Sequence, residues 1–195
     1  MWYHDTMNFS NPDDNIRELG LKPEDKVVVF GSGSGGHTLA AARFLKGSGT
    51  VYGIDAREPM VEKLKKEAQE RHHLNVRVIH GNVDRLGGTG VDALSTDAVV
   101  VPDTLFAHHD KETILKEANH ILKPGGRLLI VEWSASYAGA GPAPKDVCLE
   151  ETALVLAKKT GFEYVRRFSA GNYHYALIFH KPLSPKNEHS VLTIP

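Results

Sequence analysis

The chain has 195 residues, of which 41% are hydrophobic and 24% charged, a composition typical of one soluble globular domain. Its net charge of −1 argues against an extended basic surface that binds nucleic acid, although a small basic patch is compatible with this charge. The single cysteine excludes an internal disulfide framework, and with no bilayer-length apolar stretch and no signal peptide we expect a cytoplasmic protein without a membrane partner.

The N-terminal part of the chain centres on a glycine loop. Residues 1–20 form a polar lead-in with a short helix predicted from Asn11 to about Leu19. The apolar run Lys26–Phe30 suits a strand buried on both faces of a parallel sheet. The letters GSGSGG follow and precede a helix predicted over His37–Leu45. Such a strand, loop and helix N-terminus form a seat for a nucleotide or a carboxylate; the alternative is a glycine-rich turn without a ligand.

An acid ends the second predicted strand, Thr50–Asp55. Asp55 follows Gly36 at about the spacing at which a carboxylate at the tip of strand two accepts hydrogen bonds from a ribose diol. The alternative is a helix-capping role, because the next helix is predicted over Pro59–Arg71.

Further along, strands and helices continue to alternate up to a closing hairpin. The predicted elements are strand Val76–His80, a loop or weak helix over 85–95, strand Ala98–Val101, helix Asp110–Leu122, strand Arg127–Glu132, helix Cys148–Thr160, and strands Phe162–Phe168 and Tyr173–Lys181. The alternation predicts parallel pairing with helices on both faces. We therefore predict an α/β, Rossmann-like, doubly wound seven-stranded sheet, parallel except for an antiparallel last strand in a C-terminal β-hairpin.

These segments match a family. The succession VVVFGSGSGG, VYGID, HGNVD, DAVVVPDTLFAHHD, ILKPGGRLLIVEW and GF…GNYHYALIF resembles class I S-adenosylmethionine-dependent methyltransferases, especially small bacterial and archaeal members, over roughly residues 15–182. The resemblance implies S-adenosylmethionine as cofactor and S-adenosylhomocysteine as product. It also implies a methyltransferase domain over 21–182, a flexible tail over 183–195, and a lead-in or lid over 1–20.

The resemblance further implies the cofactor site. The methionine end would lie along the glycine loop, the ribose on the acid after strand two, and the adenine beside the segments after strands two and three. The implied cofactor-binding residues are Gly31, Ser32, Gly33, Ser34, Gly35, Asp55, Ala56, Met60, Asn82, Val83 and Pro102. Val29 departs from the family pattern, since it replaces an acid that orients the loop, and this favours weaker cofactor affinity.

Catalytic candidates follow from the edge of the sheet where ligands bind. Asp103 follows strand four, near the sulfonium by the same resemblance. An antiparallel last strand adds Tyr173 as a wall for the acceptor and His174 as a general base. The alternative is that Tyr173 and His174 merely pack at the hairpin tip. The catalytic candidates are therefore Asp103, His174 and Tyr173.

Two other groups of residues suggest no chemistry. His108 and His109 are adjacent and lack partners at ligand spacing, so no metal is predicted. Cys148 is read as a helix cap or a core thiol.

Three functions fit these observations. The first is a methyltransferase that moves the methyl group by in-line displacement to an acceptor of unidentified class. The second is a non-catalytic S-adenosylmethionine or S-adenosylhomocysteine-binding module, supported by Val29. The third is a nicotinamide-dependent oxidoreductase, supported by the glycine loop and Asp55. The oligomeric state stays open.

Overall fold

The computed structural model of the chain describes residues 10–137 and 140–183. The predicted lid, as far as residue 9, and the predicted tail, from residue 184, lie outside these ranges. The elements are α1 (Pro12–Glu18), β1 (Lys26–Phe30), α2 (Gly36–Leu45), β2 (Thr50–Asp55), α3 (Glu58–Glu70), β3 (Val76–His80), β4 (Thr96–Pro102), a 3-10 turn (Leu105–Ala107), α4 (Lys111–Ile121), β5 (Leu122–Trp133), α5 (Glu150–Lys159), β6 (Glu163–Ser169) and β7 (His174–His180). None of the helices in these ranges has the length and apolarity needed to cross a membrane.

All seven strands form one sheet in the order β3-β2-β1-β4-β5-β7-β6. The neighbours from β3 to β5 pair in parallel, whereas β7 lies between β5 and β6 and is antiparallel to both. The predicted fold class is therefore confirmed, including the antiparallel last strand. Because β7 runs in the opposite direction, its first residue reaches the edge where the parallel strands end.

Both faces of the sheet are covered by helices, which explains the apolar character of β1. Val27 and Val29 are fully buried in the cluster that includes side chains of α1, α2 and α3. Val28 and Phe30 are fully buried in the opposite cluster, with side chains of α4 and α5. A strand with no solvent-facing side has no polar alternation, and this is the pattern read from the sequence.

A buried glutamate of α4 organises the segment 85–95, which is a loop. The Glu117 carboxylate accepts hydrogen bonds from the backbone N–H of Gly87 (2.6 Å) and of Thr89 (3.3 Å) and from the Thr89 hydroxyl (2.5 Å). Glu117 is fully buried, although the sequence pattern did not place it on the apolar side of its helix. The loop therefore takes its shape from a residue about 30 positions away.

The prediction that Cys148 caps a helix is wrong. The N-cap of α5 is Leu149, and the helix begins at Glu150. Cys148 is instead buried in the core, where burial raises the pKa of its thiol to about 11. The alternative reading, a core thiol, is confirmed.

Candidate functional site

Two neighbouring cavities open at the edge of the sheet where the parallel strands end. The β2-side cavity has a volume of about 270 Å³ and is lined by segments that follow β1, β2, β3 and β4. The β5-side cavity has a volume of about 380 Å³ and is lined by the glycine loop, the start of α2, and residues at the ends of β4 and β5. Gly31, Arg57 and Asp103 line both cavities. The two cavities thus adjoin along these three residues.

Most of the residues predicted for the adenine and ribose line the β2-side cavity. They are Asp55, Ala56, Asn82 and Val83. The Asn82 side-chain oxygen already accepts the backbone N–H of Asp84, at 3.1 Å. Met60 is not part of the lining and lies in the first turns of α3.

Asp55 is a buried carboxylate with four hydrogen-bond donors. It accepts from the backbone N–H of Gly33 (2.8 Å) and of Arg57 (3.0 Å), and from two nitrogens of the Arg57 guanidinium (3.0 and 3.1 Å). Burial alone would raise the Asp55 pKa, but the hydrogen bonds from Arg57 and Gly33 lower it below its usual value, so the group is ionised. The helix-capping alternative is wrong, because the N-cap of α3 is Arg57.

The glycine loop lies along the β5-side cavity. Gly31, Ser32, Gly33 and Ser34 line it, whereas Gly35 does not. Gly35 is the N-cap of α2 and adopts φ 89°. The start of α2 has no side-chain cap and no acid in its first turn, so the positive end of the helix dipole faces the site without a compensating charge from its own residues.

Replacing Gly31 with alanine is expected to lower the free energy of unfolding by about 3 kcal/mol. Its φ is +56°, and a Cβ there would lie 2.7 Å from Oγ1 of Thr104. That hydroxyl donates to the carbonyl of Pro102 (2.7 Å) and lies 3.2 Å from the carbonyl of Phe30, so it has little freedom to yield. Urea unfolding followed by circular dichroism measures the loss.

The matched control for Gly31 is Gly47→Ala. Gly47 also has a positive φ, of +86°, but a Cβ there would meet nothing within 4 Å. Its expected loss is about 1 kcal/mol, from backbone strain alone. Equal losses in the two variants would contradict the close approach of Thr104 to the loop.

Asp103 and His174 meet at the wall of the β5-side cavity. Asp103 has a left-handed backbone (φ 46°), and its Oδ1 lies 3.1 Å from Nε2 of His174. His174 packs against Trp133, with ring centroids 4.3 Å apart and ring planes inclined at 45°, and both of its ring nitrogens are enclosed without a well-directed hydrogen bond. The Asp103 side chain is 40% exposed, against 3% for His174. Asp103 is therefore the member of the pair that faces the site.

Tyr173 belongs to an aromatic cluster next to this pair. Its ring meets that of Tyr137 edge-on, with centroids 4.7 Å apart, and Tyr137 lies 6.3 Å from the ring of Trp133. Ser134 links the cluster, because its Oγ lies 2.8 Å from the Tyr137 hydroxyl and donates to the carbonyl of Tyr173. Tyr173 is outside the lining of both cavities, and it packs against Tyr137, which lies next to the lining residue Trp133.

Glu132 supports the same wall and was not predicted. Its Oε1 accepts the backbone N–H groups of Thr104 (2.8 Å) and Leu105 (2.5 Å), which follow Asp103. Burial raises the pKa of this carboxyl to about 8, and the charge of Asp103 adds to the effect. Glu132 therefore holds the backbone segment that carries Asp103.

Two further side chains of the site were also missed. Arg57 pairs with Asp55 and lines both cavities, and His37 lines the β5-side cavity. The only sequence signal was their position, two residues after a predicted ligand in each case. Within residues 10–137 and 140–183, no group of three or more His, Cys, Asp or Glu is arranged to hold a metal ion.

Comparison with known proteins relates the chain to methyltransferases. A 122-residue match to a demethylmenaquinone methyltransferase of Geobacillus sp. is 29% identical and covers 63% of this chain and 51% of the relative. A 130-residue match to the arsenite methyltransferase of Mus musculus is 30% identical and covers 63% of this chain and 33% of the relative. The chain thus spans about half of the length of the first of these curated relatives and about a third of the second.

The fold also resembles that of a methyltransferase of known structure. A crystal structure of a SAM dependent methyltransferase from Aquifex aeolicus superposes with a TM-score of 0.80 at 22% identity, covering 88% of this chain and 90% of that one. The family model described as a methyltransferase domain matches residues 27–126, from β1 through the turn within β5. The chain belongs to this methyltransferase-domain family, that of the class I S-adenosylmethionine-dependent methyltransferases.

Proposed function

We propose that the protein transfers a methyl group from S-adenosylmethionine to an acceptor held in the β5-side cavity. The observation that carries the proposal is the position of Asp103, which lines both cavities and adjoins the glycine loop. The β2-side cavity would hold the adenosine portion. The methionine portion and the acceptor would share the β5-side cavity, so the reacting atoms would meet beside Asp103.

The residues present fit this cofactor. The buried Ser32 hydroxyl lines the β5-side cavity and has no hydrogen-bond partner in the described part of the chain, which leaves it for a polar ligand. Asp55 is an ionised acceptor suited to ribose hydroxyls. The guanidinium of Arg57 would share or give up this carboxylate. Its side chain is 65% exposed, so it can rearrange without disturbing the core.

The chain's own residues would align the reaction. The bound cofactor would supply an electrophilic methyl group; the acceptor atom would form a bond to its carbon in line with the carbon–sulfur bond, which breaks so that S-adenosylhomocysteine leaves. Asp103 would accept a hydrogen bond from the acceptor and take its proton. His174, packed against Trp133, would hold the Asp103 carboxylate in place. The indole and the buried imidazole would also exclude water from this side of the site.

The acceptor that suits this wall carries an O–H or N–H group beside an apolar body. Asp103 offers an acceptor for the proton, and Trp133 offers an aromatic face next to it. A metalloid bound through thiolates fits less well. The chain has one cysteine, and the raised pKa of Cys148 keeps its buried thiol protonated at neutral pH.

The alternative of a non-catalytic binding module rests on two observations. Val29, at the position where the family usually has an acid, is fully buried in the core and so offers no contact to a ligand. The Asp55 carboxylate is also already engaged by Arg57. Detection of methyl transfer to any acceptor would exclude this alternative. The nicotinamide alternative is set aside because the family is one of methyltransferases.

Calorimetric titration of the purified protein with S-adenosylmethionine, S-adenosylhomocysteine and NAD tests the proposal. We expect binding of the two sulfur ligands and none of NAD. Replacing Asp55 with alanine should weaken both by about 10- to 100-fold, because two ribose hydroxyls lose a charged acceptor.

The exposed Asp92 of the 85–95 loop provides the control variant, Asp92→Ala, which should bind as the wild type does. Unchanged affinity of Asp55→Ala for the two sulfur ligands would contradict the assignment of the ribose to the β2-side cavity. Binding of NAD with no binding of either sulfur ligand would refute the proposed function.

A further inference from the structure

His37 lies in the first turn of α2, on the wall of the β5-side cavity that also includes Asp103 and His174. It is buried, and burial lowers its pKa to about 4, against the opposing effect of the Asp103 charge. The imidazole is therefore neutral at physiological pH. A neutral imidazole has one nitrogen that donates a hydrogen bond and one that accepts.

Asn15 of α1 determines which of the two ring nitrogens of His37 carries the hydrogen and donates a hydrogen bond. Its amide nitrogen lies 3.1 Å from Nε2 of His37 and 2.7 Å from Oγ of Ser10. An amide nitrogen carries two hydrogens, so one is directed to each partner, and Nε2 accepts. The proton of His37 is then on Nδ1. Among the residues that the structure describes, Nδ1 has no hydrogen-bond partner, which leaves a donor for a ligand of the cavity His37 lines.

α1 is fixed firmly enough to impose this orientation. Asp13 accepts three hydrogen bonds from the Arg43 guanidinium of α2, at 2.7 to 3.1 Å. Pro12 packs so closely on the start of α2 that a Cβ on Gly36 would lie 3.2 Å from its ring. Asn15 is itself fully buried. The short first helix therefore has a function in the site, as the support of His37.

The polarity of the cavity matches a zwitterion. The lining includes the uncapped N-terminus of α2, without an acid in its first turn, and the Nδ1 donor of His37. It also includes the carboxylate of Asp103. A ligand with a carboxylate toward His37 and a cationic sulfonium toward Asp103 satisfies both. The methionine portion of S-adenosylmethionine carries these charges.

We propose that His37 donates a hydrogen bond from Nδ1 to the α-carboxylate of the cofactor's methionine portion, with Asn15 as the positioning residue. The assignment rests on the proposed function, because it takes S-adenosylmethionine as the ligand whose methionine portion lies in the β5-side cavity. It gives the chain a contact to the amino-acid end of the cofactor from α2, in a protein whose β1 has Val29 where the family usually has an acid.

The test compares two ligands that differ only at that end. S-adenosylhomocysteine carries the amino-acid carboxylate, whereas 5′-methylthioadenosine keeps the adenosine and the thioether without it. By calorimetry, His37→Phe should weaken S-adenosylhomocysteine binding by about 10-fold or more and leave 5′-methylthioadenosine within about twofold. His37→Asn should recover most of the loss, because its amide N–H can take the place of Nδ1–H.

His109→Phe, at an exposed position outside both cavities, controls for the loss of a histidine elsewhere. Nitrogen-15 spectra of the wild-type imidazoles give a readout that does not depend on a variant. We expect His37 to be protonated on Nδ1, with a shift of that resonance on adding S-adenosylhomocysteine but not 5′-methylthioadenosine.

Equal weakening of both ligands in His37→Phe, unchanged binding of S-adenosylhomocysteine, or an Nε2-protonated ring would each overturn the assignment while leaving the proposed function standing. If the wild-type protein bound neither ligand, the proposed function would fail together with it.

Discussion

Replacing Glu132 with leucine is expected to lower the free energy of unfolding by about 2–4 kcal/mol at pH 7. The leucine would leave the backbone N–H groups of Thr104 and Leu105 buried without their acceptor. Glu132→Gln keeps an oxygen at the same place, so it should retain most of the stability. Urea unfolding of the three proteins measures the difference. A loss in Glu132→Gln as large as in Glu132→Leu would contradict the role of Oε1 as an acceptor.

The same comparison has a defined pH dependence. The Glu132 pKa in the folded protein is about 8, above the usual value of 4.5, so the folded state binds the proton more tightly than the unfolded chain does. Stability from this group is greatest below about pH 4.5 and is lost as the pH rises to about 8, at a slope of up to about 1.4 kcal/mol per pH unit. Glu132→Gln should remove this slope, and an unchanged slope would show that another group causes it.

Replacing Asp103 with asparagine is expected to lower kcat for methyl transfer by about 100-fold or more, because no carboxylate is then left to take the proton of the methyl-accepting substrate. Asparagine tolerates the left-handed backbone (φ 46°) of this position, so the variant should fold and bind S-adenosylhomocysteine with nearly wild-type affinity. The measurement uses the first acceptor found by screening small molecules that carry O–H or N–H groups.

Two further variants make this result specific. Asp92→Asn changes a carboxylate in an exposed loop and should leave the rate unchanged. His174→Gln should lower kcat less than Asp103→Asn does, because His174 acts through Asp103. A wild-type rate in Asp103→Asn would contradict the role of Asp103 as the proton acceptor. The protein would then contribute to the rate by aligning the cofactor with the methyl-accepting substrate.

Local patterns were sufficient to predict the fold. The apolar run of β1, the acid that ends β2 and the turn chemistry of Ser169–Asn172 each depend on residues close together in the sequence, and the family match covers the first two of these features. The loop over 85–95 had no such pattern, because its donors are held by Glu117 on a later helix. Its conformation is a tertiary effect that periodicity does not report.

The candidate site was predictable only in part, for the same reason. Gly31 and Asp55 lie in a motif with fixed spacing, so both were predicted as ligands, and both line the β2-side cavity. The importance of His37 depends on burial by α1, and that of Glu132 on a turn that follows a different strand. Neither residue has a local signature. The only sequence signal for Glu132 was its position, as an acid at the end of an apolar strand.

The place of β7 between β5 and β6 has a consequence for the order in which the site is completed during synthesis. The lining of the β2-side cavity comes from residues 31 to 108, whereas the β5-side cavity also needs Trp133 and His174. A ribosome releases the chain from its N-terminus. The residues that line the β2-side cavity are therefore all synthesised before the final hairpin, and the lining of the β5-side cavity is completed last. We expect the proposed nucleoside site to be complete in sequence before the proposed acceptor site.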